Sequence, residues 1–153
     1  MVAADADGVT GLAIGAREDD FARGVAARCG VTPTLDNGRF PELGAALEDY
    51  FTGRPVSFQV PLNPSGTAFD RLVWNALSAI PWGAALSYGE LAEAIGKPGA
   101  ARAVGGACAR NPIPIIIPCH RVLQAGGSIG GYSGGEGVKE KLLVLEGIPF
   151  KLR

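Results

Sequence analysis

The sequence predicts a small α/β domain over residues 1–63 joined to a mainly α domain over residues 64–153 that carries a helix-turn-helix. Three observations predict this. The N-terminal part mixes a hairpin pattern, two helical patterns and one alternating, strand-like run. The break "NPSG" then closes it, at about residues 61–66. Beyond it, "SYGELAEAIG" and "AARAVGGACAR" are two short helical patterns separated by the turn "KPG". Two short helices joined by a Gly-containing turn suggest a helix-turn-helix.

The elements follow in order. Residues 1–15 read as a hairpin, with "ADADG" as the turn and "TGLAIG" as its returning strand. Residues 18–29 form a helix, with Phe21, Val25 and Cys29 recurring every four positions along one face. "TPTLDNG" is a loop. "PELGAALEDYFTG" is a helix, with Pro41 at its start and Gly53 after its end. "VSFQVPL" alternates like a half-buried strand.

In the second part, Thr67 followed by Asp70 reads as a capping box. Phe69, Leu72, Val73, Ala76, Leu77 and Ile80 then mark the buried face of an amphipathic helix that stops at Pro81. Ser87 and Glu90 repeat the capping pattern, with Leu91, Ala94 and Ile95 inward and Gly96 as the stop. "VKEKLLVLEG" closes the chain as a helix, with Gly147 after its end. No internal repeat or low-complexity segment is visible.

Composition excludes several classes. The chain has 153 residues, of which 47% are hydrophobic, enough to build a core. No apolar run approaches the roughly 20 residues that span a bilayer, and no signal-peptide pattern opens the chain. Cys29, Cys108 and Cys119 are odd in number and scattered, which fits a reducing cytoplasm rather than a disulfide framework. With His120 as the single histidine, they lack the paired spacing of a zinc site, so no metal is expected. Residues 1–63 carry five Arg/Lys against nine Asp/Glu, a net of −4; residues 64–153 carry nine against six, a net of +3. The basic bias of the second part permits nucleic-acid binding.

The helix "AARAVGGACAR" is unusual for its glycines. Gly105 and Gly106 each cost about 1 kcal/mol relative to Ala in a helix interior. Close packing against a neighbour is one explanation; approach to a nucleic-acid backbone is the other. Base reading in the major groove uses several Arg, Asn or Gln side chains, whereas this helix offers Arg102 and Arg110. A small-faced helix with one long central Arg suits the minor groove and a wedge-like insertion.

"NPIPIIIPCHRV", residues 111–122, sets Cys119 beside His120 after an apolar run. A buried, inert cysteine is the plainer reading. Histidine is the usual general base near neutral pH, however, and a thiol needs such help to react. Neighbours on a strand point to opposite faces, so either the chain turns at this point or a water carries the proton. A carboxylate that holds the imidazole would complete the arrangement. Glu146, in the last turn of the final helix, is a candidate, against the alternative of a solvated surface glutamate. "GGSIGGYSGG", residues 126–135, lacks the lysine and hydroxyl of a phosphate loop. It reads as a plain loop or as a pocket wall carrying Tyr132 and Ser133.

"IPCHRV", preceded by "RAVGGACARNPIPII" and followed by "GYSGG" and "LLVLEG", resembles the O6-alkylguanine-DNA alkyltransferases, over residues 66–147. The resemblance to residues 1–63 is looser: it implies that family's small N-terminal α/β domain, shortened by its opening strand. The resemblance implies Cys119 as the nucleophile that takes the alkyl group. His120 would deprotonate it through a water, Glu146 would orient His120, and Asn111 would support the active-site turn. Tyr88 would contact the flipped base and help protonate the departing guanine. Val122, Tyr132, Ser133 and Cys108 fall at base-pocket positions, with Cys108 expected to be buried and unreactive. Arg102, in the company of Ala101, Gly105 and Arg110, would meet DNA, with Arg102 entering the vacated stack.

The implied partner is double-stranded DNA containing O6-alkylguanine, met by a cytoplasmic monomer without cofactor or membrane. Base flipping is needed because the target atom is out of reach inside a duplex. The product is a stable thioether, so each molecule acts once. Two other readings compete. Alkyltransferase-like binding modules resemble this chain but lack the cysteine. A Cys-His thiol hydrolase would turn over repeatedly. An engineered self-labelling relative would share the first chemistry.

Overall fold

Two units divide the chain, Met1–Ser65 and Gly66–Arg153. The structure is a computed structural model that describes residues 1–36, 38–135 and 137–152. The loop expected over residues 32–38 includes Asn37, which lies outside the described residues. Small sheets and six α-helices among the described residues make an α/β protein. Among the described residues, no helix is long and apolar enough to cross a membrane.

In the first unit, β1 (Val2–Ala4) and β2 (Val9–Leu12) pair antiparallel, with Val2 opposite Leu12. Asp5 makes the turn. Its Oδ1 accepts from the backbone N–H groups of Asp7 at 2.9 Å and Gly8 at 3.0 Å, the local bonding that suits Asp to turns. Helix α1 (Glu18–Cys29) starts with Glu18, Asp19 and Asp20, which favour the positive end of its dipole. It ends at Gly30, whose positive φ of 72° lets its N–H close on Ala26. Val25 is buried on the expected face, but Phe21 is half-buried and Cys29 is exposed. Helix α2 (Pro41–Phe51) begins on its proline and buries Leu43 and Tyr50.

The strand expected over "VSFQVPL" does not form. Val56, Phe58 and Val60 are half-buried and alternate with exposed Ser57 and Gln59, so the side-chain pattern is real. The ladder is reduced to one parallel bridge between Val9 and Leu62. Val9 donates to the Pro61 carbonyl at 2.9 Å and accepts from Asn63 at 2.8 Å. Pro55, Pro61 and Pro64 have no N–H to continue it.

In the second unit, α3 (Ala68–Ser78) carries the expected capping box between Thr67 and Asp70. Its buried face holds Val73, Trp74 and Leu77, with Ile80 just beyond. Leu72, expected inward, is 39% exposed, and Trp74 takes the core position instead. Trp74 Nε1 donates to the Ala107 carbonyl at 2.9 Å, which ties α3 to the helix Ala101–Ala109. The fit is close enough that a Cβ on Gly66 would stand 2.4 Å from the Trp74 ring.

β3 (Leu86–Ser87) leads into α4 (Tyr88–Ala94), capped by Ser87 and Glu90 as expected. Leu91 and Ala92 are buried, while Ala94 is exposed and Ile95 only half-buried, so the inward face is rotated by one residue or so. Helix α5 (Ala101–Ala109) follows the turn and packs on α3 and α4. β3 pairs in parallel with β4 (Val122–Leu123), Leu86 opposite Val122. Parallel neighbours need a long crossover, and here α4, α5 and the run to Pro118 supply it. Helix α6 (Val138–Leu145) buries Lys139, Leu142 and Leu143. Leu123, Ile129, Leu143 and Ile148 form a core cluster beside β4, with Ala85 and Phe150 packed on it.

Candidate active site

The run from Asn111 to Pro118 is a buried connection, not a strand. Ile113, Ile115, Ile116 and Ile117 are all buried. Ile115 has φ 73°, a left-handed backbone that is a genuine outlier for a β-branched residue. Asn111 holds this bent segment. Its Oδ1 accepts from the Ile113 N–H at 3.0 Å and its Nδ2 donates to the Ile117 carbonyl at 2.7 Å. The same Nδ2 lies 3.1 Å from Cys119 Sγ.

Cys119, His120 and Arg121 then form one turn of 3₁₀ helix. The chain turns at the pair instead of running on as a strand. Cys119 faces a cavity of ≈410 Å³, also lined by Tyr88, Gly105, Cys108, Ala109, Gly131, Tyr132 and Ser133. That size lies in the range of small-molecule sites. His120 is wholly buried, with Nε2 at 2.8 Å from Glu146 Oε1. A carboxylate only accepts, so Nε2 carries the ring hydrogen and Nδ1 the lone pair.

Glu146 is therefore not a surface residue. It is 4% exposed and takes a second partner, Arg121. Arg121 Nε donates to Oε2 at 2.7 Å and Nη2 to Oε1 at 3.0 Å, while Nη1 donates to the Ile80 carbonyl. Lys139 is also buried. Its Nζ donates to the Val122 carbonyl at 2.6 Å and sits 5.9 Å from the centre of the Tyr88 ring.

Burial pushes the Cys119 thiol above its ordinary 9.0, against the opposing pull of Asn111 and the Lys139 charge. Burial outweighs that pull, so the thiol rests protonated at neutral pH. Cys108 is buried, as expected, and burial sends its thiol up to about 12 and Tyr88 up to about 12. Tyr132 is raised for the same reason. His120 is held below 6.5 by burial, with Glu146 opposing and Arg121 and Lys139 adding to the fall. Lys139 is itself lowered by burial.

The predicted residues divide into four groups. Cys119, Tyr88, Gly105, Cys108, Tyr132 and Ser133 line one cavity, with Asn111 on the sulfur and His120 paired to Glu146. Val122 is fully buried in β4 and presents its carbonyl to Lys139; it is not among the cavity's lining residues. Arg110 turns back on the protein, with Nη2 at 2.6 Å and Nε at 3.1 Å from Asp70 Oδ1. Ala101 and Arg102 open α5, with Arg102 exposed.

Gly105 has its α-hydrogen side 3.7 Å, in Cβ terms, from the Tyr88 ring, an ordinary contact distance. Close packing therefore does not by itself demand glycine there. Sequence reasoning missed Arg121 and Lys139. Lys139 had a signal: it stands three and four residues before Leu142 and Leu143, on the apolar stripe of α6.

The comparisons fit this site. The model of the family described as 6-O-methylguanine DNA methyltransferase, DNA binding domain, matches residues 68–148. A methylated-DNA–protein-cysteine methyltransferase of Methanosarcina acetivorans is 55% identical over 108 residues, 71% of this chain and 69% of that protein. One of Mycobacterium leprae is 52% identical over 111 residues, 72% of this chain and 67% of that protein. The crystal structure of Mycobacterium tuberculosis OGT in complex with DNA superposes with a TM-score of 0.80 at 43% identity, covering 95% of this chain and 84% of that one. The O6-methylguanine-DNA methyltransferase of Pyrococcus kodakaraensis gives 0.74 at 32% identity, covering 96% and 89%. With a cavity thiol, a buried imidazole–carboxylate pair and relatives at this level of identity, the chain belongs to the 6-O-methylguanine DNA methyltransferase family.

Proposed function

We propose that this protein repairs DNA by moving an alkyl group from O6 of guanine to the sulfur of Cys119, once per molecule. The observation that carries the reading is the placement of one sulfur. Cys119 Sγ opens on the cavity, takes a hydrogen bond from Asn111, and stands next in the chain to an imidazole paired with a carboxylate. His120 Nδ1 accepts the thiol proton, through a water. The sulfur pair forms the S–C bond, the O6–C bond breaks, and its electron pair leaves on guanine. Tyr88, a phenol at neutral pH, donates a proton to the departing base, which balances the proton held by His120.

The flipped guanine occupies the cavity between Tyr88 and the Tyr132–Ser133 segment, beside Gly105 and Cys108. Helices α4 and α5 act as a helix-turn-helix on the minor groove, and Arg102 fills the gap left in the stack. Residues 64–153 form the DNA-binding and transfer domain, and residues 1–63 an α/β domain. The dry cavity suits the reaction because electrostatic contacts strengthen where water is excluded.

The test is a peptide map after exposure to a duplex containing O6-methylguanine. A methyl group on the peptide with Cys119, absent from Cys119→Ser, is expected. A mark on Cys29 or Cys108 would overturn the assignment of the nucleophile.

A further inference from the structure

The Arg121 side chain has no place in the chemistry described so far, yet it is buried against the two residues that do. The side chain is 10% exposed and the Glu146 side chain is 0% exposed. Its fork meets both carboxylate oxygens, at 2.7 and 3.0 Å, and its third nitrogen is anchored on the Ile80 carbonyl after α3. The same Oε1 that receives Arg121 Nη2 receives His120 Nε2. A buried carboxylate facing an imidazole alone would draw a proton onto the ring, because the ion pair is the better-paired state in a dry site. A protonated ring has no lone pair with which to accept a thiol proton.

We propose that Arg121 is a positioning residue that, by holding both oxygens of Glu146, keeps His120 a neutral base with its lone pair on Nδ1. The inference rests on the alkyl-transfer reading above. The charged groups that act on the imidazole include Glu146 at the end of α6, Lys139 from the start of α6, and Arg121 from its own turn. Glu146 alone favours the imidazolium, and Arg121 and Lys139 oppose it. Of these two cations, Arg121 is the one bonded to the carboxylate oxygen that the ring shares. The guanidinium is suited to this because its planar fork matches a carboxylate in a way an ammonium does not.

His120 is the single histidine of the chain, so its ring gives one imidazole signal set in an NMR titration of the full-length protein. In the unaltered protein the ring should stay neutral with the hydrogen on Nε2 down to pH values below the ordinary imidazole range. Arg121→Met should move the titration upward, lower single-turnover methyl transfer at pH 7 by roughly tenfold or more, and regain part of that rate as pH rises. Arg121→Lys, which restores charge without the fork, should fall between the two. Loss of rate by the same factor at every pH with an unmoved titration would reduce Arg121 to a structural residue and overturn the proposal. Should Arg121→Met fail to fold, the unaltered protein still decides, since an imidazole that titrates at or above its ordinary pKa contradicts the assigned state. Failure of the unaltered protein to accept a methyl group would instead sink the alkyl-transfer reading, and the ring titration would remain readable apart from it.

Discussion

Asn111 shows how much one side chain can hold. Its amide closes the bent segment through Ile113 and Ile117 and also reaches the Cys119 sulfur. Asn111→Ala removes all three bonds and leaves the buried Ile113 N–H unsatisfied, at about 1–3 kcal/mol, while the Ile117 carbonyl keeps its bond from the Cys119 N–H at 2.8 Å. Urea denaturation should report that loss, and single-turnover transfer should slow even under conditions where the variant is folded, because the thiolate loses a donor. A variant that reacts at the unaltered rate would remove Asn111 from the chemistry. Cys119 and His120 were legible in the sequence because their residue types are rare in this chain and adjacent. Arg121 and Lys139 were not, because a charged residue is expected in solvent unless its partner is known. Their partners, Glu146 and the Val122 carbonyl, lie 25 and 17 residues away.

At the scale of elements, local signals were readable and distant ones were not. Both capping boxes formed where Thr67–Asp70 and Ser87–Glu90 announced them, since their bonds span three residues. The β3–β4 pair is two residues long and joins Leu86 to Val122, so no periodicity marks it. The opposite error occurred at residues 56–62, where alternation is present and the prolines remove the ladder.

The Thr67–Asp70 box also anchors α5 through Arg110. Burial alone would raise the Asp70 carboxyl, but bonds from Arg110 and Thr67 outweigh it and hold it below 3.8. A lowered folded-state pKa means that the stabilisation is present above pH 3.8 and is lost as pH falls through the lowered value. Asp70→Asn should therefore cost stability at neutral pH, and its gap from the unaltered protein should narrow in acid, as read by denaturation at several pH values. Thr67→Ala should cost about 0.5–2 kcal/mol. Arg110→Ala should cost less, because the Arg110 side chain is 57% exposed and solvent screens the pair. A larger loss from Arg110→Ala than from Thr67→Ala would mean that the ion pair, rather than the cap, sets the stability of this junction.

Helix α5 carries a second prediction. Arg102 is exposed on a helix whose cavity-lining residues, Gly105, Cys108 and Ala109, are small. Arg102→Ala should slow repair of a lesion in duplex DNA more than reaction with the free alkylguanine base, since filling the stack offsets an unstacking cost of a few kcal/mol. Competing the two substrates in single-turnover assays reads the difference. Equal losses on both would place Arg102 outside base extrusion.

For the whole molecule, the central claim is stoichiometric. The Cys119 thiol is buried and protonated, next in the chain to an imidazole paired with a carboxylate. Attack on an alkyl carbon leaves a thioether, which lacks the carbonyl that lets water release a thioester. Intact mass of the protein, followed over time with a molar excess of duplex containing O6-methylguanine, tests this most directly. Each molecule should gain the mass of one methyl group and then stop, with one lesion repaired per protein. Continued loss of lesion without a lasting adduct, or no gain of mass at all, would contradict it.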